Sequence, residues 1–290
     1  MGEVLRGWKM EYTKDGSKKN LDLDIKYQAD LQRLSKLRLM DDDFMCKVFE
    51  DKNCVELLLQ IILKRTDLQV QKVHTQHEIK NLQGRSVRLD IIAIDRDEKI
   101  YNIEVQRNNK GAEAKRARYN SSLMDANITE PGDKYQNLPE SYVIFITEHD
   151  ILKGNQPLYH VNRRIEETGE QFDDGTHIIY VNSQIRDETV LGKLMSDFYC
   201  VDVNDMNYQV LANRVRFFKE DVKGVEAMCR IWDEVREEGR EEGREEGRLE
   251  ERKNLAIKML QMNQFSYEKI AELCKLTLEE VQQLASKQTA

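Results

Sequence analysis

The stretch VRLDIIAIDRDEKIYNIEVQR, residues 87–107, decides how the chain is read. Two apolar runs, VRLDIIAI and KIYNIEVQ, flank a short polar break, the pattern of a β-hairpin inside a packed domain. Each run carries a carboxylate, Asp90 in the first and Glu104 in the second. A buried charge without a partner is expensive, so this pair needs a reason. Alternate residues of a strand share a face. That puts Ile100, Asn102, Glu104 and Gln106 on one side and Tyr101, Ile103 and Val105 on the other, against a packed layer. A three-residue loop, Arg96-Asp97-Glu98, is a common hairpin length. It sets Asp95 against Lys99, Ile94 against Ile100, Asp90 against Glu104 and Arg88 against Gln106.

Like charges facing each other repel, and one of them takes up a proton unless a cation lies between. Hard oxygen ligands, with room for water and phosphate oxygens, suit Mg²⁺ or Mn²⁺. On this reading Asp90 and Glu104 hold the ion and the Val105 carbonyl adds a third oxygen. Gln106 orients the attacking water or a phosphate oxygen, and the ion activates water as a phosphodiester is cut. The plainer reading pairs Asp90 with Arg88 or a lysine and turns Glu104 to solvent on a half-exposed sheet. From spacing alone the plainer reading has a slight edge. The next stretch, QRNNKGAEAKRARY, sets Arg107, Lys110, Lys115, Arg116 and Arg118 against the single acid Glu113. Such a patch beside a metal site would position a DNA phosphate backbone; the alternative is a solvated helix face.

The rest of the chain surrounds this hairpin with an α/β pattern. Residues 1–38 form a polar leader with a helix expected around 26–39. DDDFMCKVFEDKNCVELLLQIILKR reads as one or two helices, with apolar residues at helical spacing. VQKVHTQHEIK reads as a strand, GAEAKRARYNSSLMDANI as a helix, YVIFIT and HIIYVN as buried strands, and VLGKLMSDF as a helix. The order is that of an α/β domain with a mixed sheet. His74 and His77 form an HxxH, but regular strand alternation sends them to opposite faces, which argues against zinc. No GxxxxGK[ST] loop is present, so no nucleotide cofactor is expected.

Residues 236–252, REEGREEGREEGRLEER, form a four-residue repeat that is helical with a glycine stripe at Gly239, Gly243 and Gly247. Each glycine costs about 1 kcal/mol against alanine in a helix interior. The stripe would admit a second backbone and so a homo-oligomer; a solvated linker helix is the equal alternative. Residues 253–290 read as a small helical module. Ser266 caps one helix there, and Thr277 with Glu280 forms a capping box for the next. Ile270, Ala271, Leu273, Val281 and Leu284 are expected inside. The outline is that of a helix-turn-helix, but Glu279 and Glu280 open its second helix where a DNA reader offers basic or amide groups. The expected division is thus 1–38, 39–235, 236–252 and 253–290.

Composition limits the options. A net charge of −8 excludes a protein that coats nucleic acid over its whole surface, so any DNA contact is local. The five cysteines form no CxxC, which fits reduced thiols. MGEVLRGWKMEYTKDG has no apolar signal core, and VELLLQIIL is too short to span a bilayer. The expectation is a cytoplasmic protein without a membrane partner.

The hairpin with the GAEAKRARYNSSLMDANI segment resembles the PD-(D/E)XK nuclease superfamily. It is most similar to the bacterial PD-(D/E)XK family transposases, or recombination-promoting nucleases. LMDDDFMCKVFED, EIKNLQGRSVRLDI, YVIFITEHDIL, DGTHIIYVN and GKLMSDF extend the resemblance from about residue 39 to 236. It implies a restriction-endonuclease-like αβββαβ core with metal acids at Asp90 and Glu104. The first helix of such folds often adds an acid, and Glu56 is the candidate; the alternative is a surface glutamate. The family motif usually ends in lysine, and here that place is Gln106, a substitution also found in the transposase-like branch. Glutamine lacks lysine's charge. Either catalysis is slower, or Lys115 or Arg116 supplies the charge. Two functions follow: a Mg²⁺-dependent DNA endonuclease linked to recombination or mobile elements, or a degenerate nuclease-fold scaffold that binds protein or DNA.

Overall fold

The structure, a computed structural model, describes residues 18–79, 84–107 and 111–288. It divides into two compact units, residues 1–228 and 229–290.

The first unit opens with α1 (Lys18–Ser35), α2 (Asp42–Val48) and α3 (Lys52–Leu63). The first helix starts and ends earlier than the leader's composition suggested. Asp51 caps α3 by accepting the Asn53 N–H at 2.9 Å. Leu58, Leu59 and Ile62 of α3 are fully buried. Three strands follow, β1 (Val70–Ile79), β2 (Val87–Asp95) and β3 (Ile100–Gln106), then α4 (Ala114–Ile128) and β4 (Ser141–Thr147). The predicted αβββαβ order is therefore present. After it come β5 (Leu158–Val161), β6 (Thr176–Asn182), α5 (Val190–Tyr199) and α6 (Gln209–Glu220). The short edge strand β5 was not read from the sequence, because LYHV lies in polar loop composition.

The sheet is mixed, in the order β1-β2-β3-β4-β6-β5. The β1–β2, β2–β3 and β5–β6 pairs are antiparallel, and β3–β4 and β4–β6 are parallel. The hairpin register is the predicted one: Ile94 pairs with Ile100 and Ile91 with Ile103. Asp95 locks the three-residue loop. Its Oδ1 accepts the Asp97 and Lys99 N–H groups, both at 2.9 Å, and its Oδ2 accepts the Tyr101 hydroxyl at 2.7 Å. Glu98 closes the loop with a left-handed φ of 63°, the conformation such loops need at their last position.

Helix α4 covers one face of the sheet. There Ala117, Leu123 and Met124 join Ile92, Ile100, Val143, Phe145 and Tyr180 in one apolar cluster. The helices before β1 and after β6 supply the other core, in which Phe49 stacks on Phe198 and Phe44 meets Phe218 edge-on. Where a crossover helix links two adjacent parallel strands, it runs back against the direction of the first. So α4 starts near the C-terminal end of β3, where Glu104 lies.

Regular alternation fails at one place. Gln76, between the Thr75–Ile91 and His77–Leu89 pairs, has a φ of 51°. A left-handed residue there reverses which side the chain presents. His74 and His77 consequently lie side by side, their rings 5.9 Å apart, and not on opposite faces. Among the described residues, no three His, Cys, Asp or Glu side chains gather around one metal-sized point, so the pair lacks a third such ligand.

The second unit comprises the remainder of α7 (Val222–Met262), with α8 (Tyr267–Cys274) and α9 (Leu278–Gln288). The repeat is helical as expected, and residues 237–252 are exposed on every side. Ser266 caps α8 through the Lys269 N–H. The capping box is present: Glu280 Oε2 accepts the Thr277 N–H at 2.8 Å, and Thr277 Oγ1 accepts the Glu280 N–H at 3.2 Å. Ala256, Ile270, Ala271, Cys274, Leu276 and Val281 form its core. Leu273 is half exposed, contrary to expectation, because the core-facing stripe of α8 runs through Ile270, Ala271 and Cys274. Among the described residues, no helix is long and apolar enough to cross a membrane.

Candidate active site

Asp95, Glu104 and Asp197 are buried acids, and their partners separate structure from chemistry. Asp95 holds the hairpin turn through three donors. Asp197 accepts from the Asn207 N–H at 2.7 Å, the Asn207 side-chain amide at 2.8 Å and the Tyr208 N–H at 2.9 Å. Both have their oxygens occupied. Glu104 is different. It is 0 % exposed, and its Oε1 has no hydrogen-bond partner. Native structures seldom leave such an atom unpaired; a bound ion, a water or a catalytic role is the usual reason.

The hairpin carries Asp90 to the same point. The β2–β3 ladder runs to Ile91–Ile103, and beyond it the Asp90 carboxylate takes over, accepting the Val105 N–H at 3.1 Å. The N–H and C=O of one strand residue leave on the same edge. The Val105 carbonyl therefore points to the side on which Asp90 lies, while the neighbouring Gln106 carbonyl accepts Glu148 N–H across β4 at 3.0 Å.

Electrostatics follow from this crowding. Burial, then the charge of Asp90, pushes the Glu104 carboxyl up to about 8 against the pull of Arg116. Burial, then Asp42, pushes Asp90 up to about 6, opposed by the Val105 N–H, Arg116 and Arg88. The Cys46 thiol beside them, 3.9 Å from the Asp90 carbonyl, is pushed up by burial and by Asp42 and Asp90. Of the two arginines that act on the pair, Arg116 makes the direct contact: its Nη2 lies 2.8 Å from Glu104 Oε2. Gln106 Nε2 donates to the same oxygen at 3.3 Å.

The structure does not bring Glu56 to this cluster. Its Oε2 accepts the Val70 N–H at 2.9 Å, and Val70 pairs with Asp95. Asp95 is five residues from Asp90, roughly 16 Å of strand. The third acid that acts on the site is Asp42, from the DDD run at the start of α2. In the sequence that run reads as an ordinary helix N-terminus, so only its placement reveals it. Of the basic residues, Arg107 is paired with Asp41 at 2.8 Å and Glu148 at 3.3 Å, and Arg116 turns to Glu104. Lys115 and Arg118 are exposed on α4, and Lys110 lies outside the described residues.

Gln106 is held from behind. A Cβ added to Gly111 would sit 1.9 Å from Gln106 Oε1. The obstructing atom ends a flexible side chain, so Gly111→Ala is expected to cost under about 1 kcal/mol of stability while displacing the amide from Glu104. Thermal denaturation with the crystal structure of the variant checks this; an unmoved Gln106 refutes it.

A mixed sheet with acids from the β2–β3 hairpin meeting at its splayed end, backed by the crossover helix, is the arrangement on which family comparison bears. The model described as PD-(D/E)XK nuclease family transposase matches residues 46–190, half of the chain. The chain belongs to this family. Searches of curated proteins and of solved structures give no match. The matched span runs from Cys46 in α2 to the first residue of α5. It therefore contains Asp90, Glu104, Gln106 and Arg116, but not Asp42. Nuclease- or transposase-related function follows for this PD-(D/E)XK domain from its family.

Proposed function

We propose that this PD-(D/E)XK protein is a metal-dependent DNA endonuclease acting in recombination or on mobile elements. The observation that carries the reading is Glu104 Oε1, buried and unpartnered beside a second carboxylate. Two carboxylates and a carbonyl on one edge form a hard oxygen set that fits Mg²⁺ or Mn²⁺. Asp90, Glu104 and the Val105 carbonyl would hold the ion. When bound, it would activate water and offset charge on the phosphodiester. Asp90 keeps its carboxylate aimed through the Val105 N–H, and Arg116 keeps Glu104 aimed through Oε2. Gln106, anchored on Glu104, orients water or a phosphate oxygen. Lys115 and Arg118 meet the DNA backbone from the exposed side of α4. Self-association through the exposed glycine stripe belongs to the same reading, as does a division of labour between residues 39–235 and the helical segments after them.

A second reading has its own observation. Arg116 already pairs with Glu104, and glutamine stands where the family's lysine would be, as in a nuclease fold kept as a binding scaffold. Nicking of supercoiled plasmid with Mg²⁺ or Mn²⁺ separates the two. Cutting that Asp90→Asn lowers by roughly 10²-fold or more supports the nuclease. No metal-dependent cutting by the wild-type chain supports the scaffold.

A further inference from the structure

The rim of the sheet carries a cation that the carboxylate cluster does not use. β3, β4 and β6 are parallel neighbours, and Gln106, Thr147 and Asn182 end them in one row. The residues that follow continue the row: Glu148 N–H donates to the Gln106 carbonyl and Ser183 N–H to the Thr147 carbonyl, both at 3.0 Å. Ser183 is fully buried, and its hydroxyl also donates to the Thr147 carbonyl, at 2.7 Å. A serine hydroxyl has one proton to give. The Tyr199 hydroxyl, 2.9 Å away, is therefore the donor to Ser183 Oγ. Tyr199 ends α5, and this bond fixes its ring at the rim.

Two guanidinium groups lie over that ring, Arg186 with Cζ 4.3 Å from the centroid and Arg38 with Cζ at 5.7 Å. They are not equivalent. Arg38 Nη2 lies 3.6 Å from Asp41 Oδ1, the oxygen that Arg107 also holds at 2.8 Å. Arg186 is exposed, and among the described residues it has neither a carboxylate partner nor a hydrogen-bond acceptor. The acids next to it in the chain are engaged elsewhere. Asp187 accepts the Thr189 N–H at 3.1 Å, and Glu188 Oε2 lies 3.2 Å from Lys193 Nζ. A guanidinium over an aromatic face keeps its N–H donors at its edge, in a fork that matches phosphate. Arg186 is thus steadied by the ring while its donors stay open.

Position says what meets those donors. Two strand spacings, about 10 Å, separate the ends of β3 and β6. Glu104 and Gln106 lie at the β3 end beside α4, whereas α5 belongs to the helices of the other face. A DNA strand that enters past Lys115 and Arg118 and reaches the carboxylates passes on along the rim towards Arg186.

We propose that Arg186, supported by Tyr199, binds a backbone phosphate of the DNA strand about 10 Å beyond the carboxylates. The proposal rests on the reading of this protein as a DNA endonuclease, and it sets the path of the strand across the sheet rim.

The test uses the full chain carrying Asp90→Asn, so that the DNA stays intact, and follows binding to a labelled duplex by fluorescence anisotropy across a range of salt concentrations. Adding Arg186→Met is expected to weaken binding several-fold, by the same factor on unrelated sequences, and to lower the slope of log affinity against log salt by about 0.9, the share of one phosphate contact. Arg186→Lys, which keeps the charge without the fork, is expected to restore the slope and part of the affinity. Arg96→Met removes the same charge from the hairpin loop at the opposite end of the sheet and is expected to change neither. An unchanged slope in folded Arg186→Met, or an equal drop in Arg96→Met, overturns the contact. A chain that binds no DNA before Arg186 is changed overturns the endonuclease reading and the contact together. Wild-type protein that binds DNA but never cuts it with metal overturns the endonuclease reading alone, and the salt slopes still judge Arg186.

Discussion

Glu104→Gln is expected to raise the melting temperature of the metal-free protein at pH 8.5 and to abolish its stabilisation by Mn²⁺. Burial and the neighbouring Asp90 raise this carboxyl from its ordinary value of 4.5 to about 8. Between those values the folded state holds a proton that the unfolded chain releases. Stability from this group is thus full below about 4.5 and is lost as the pH rises through about 8. Glutamine imitates the protonated acid at every pH, so the variant keeps what the wild type loses. The two proteins should converge near pH 5 and separate by pH 8.5, at about 2–4 °C per kcal/mol for a domain of this size. Metal reverses the order. Ligands must be deprotonated to bind, so wild-type Mn²⁺ affinity should climb from pH 6 to 8 and level off above. The variant should show neither the climb nor metal-dependent nicking, with the rate down roughly 10²–10³-fold. A Glu104→Gln protein that is less stable than wild type at pH 8.5 would mean that the carboxylate is a satisfied structural group, as Asp95 and Asp197 are.

That contrast also shows what the sequence could and could not disclose. The hairpin was legible because its two apolar runs and its loop length admit one register that buries the apolar set. The register in turn placed Asp90 opposite Glu104. Strand alternation assigns Glu104 to the face with Asn102, and the structure buries both completely while leaving Gln106 partly open. The failures have a common cause. His74 and His77 were separated by assuming regular alternation, and Gln76 in a left-handed conformation reverses it. Glutamine is no marker of that conformation, as glycine would be. The sequence leaves Glu56 open between a third acid and a surface glutamate, and the contact that removes it from the cluster, the Val70 N–H, joins residues 14 apart through tertiary packing. Asp42 looks ordinary in sequence, because it opens a helix. Only its placement beside Asp90 gives it a role.

Arg116→Met is expected to lower nicking at saturating metal by roughly 10²-fold while leaving Mn²⁺ affinity unchanged or tighter. The guanidinium has two conceivable duties at Glu104 Oε2, 2.8 Å away. If it supplied only charge balance to the metal-free protein, a divalent ion would compete with it, and its loss would help the ion without harming the reaction. If it supplies the charge that the family's lysine gives and Gln106 cannot, its loss would spare binding and slow cutting. The geometry favours the second duty. Arg116 takes Oε2 and leaves Oε1 open, so guanidinium and ion need not occupy the same oxygen. Removing a partner from a buried charge commonly costs about 3–5 kcal/mol. Here the cost falls with pH, because Glu104 can take up a proton instead. The stability loss of Arg116→Met should therefore be small near pH 6 and large near pH 9. Arg116→Lys, which keeps the charge but loses the planar fork, should recover part of the rate. Full activity in Arg116→Met would remove the arginine from the chemistry and leave Lys115 as the other expected stand-in for the family's lysine.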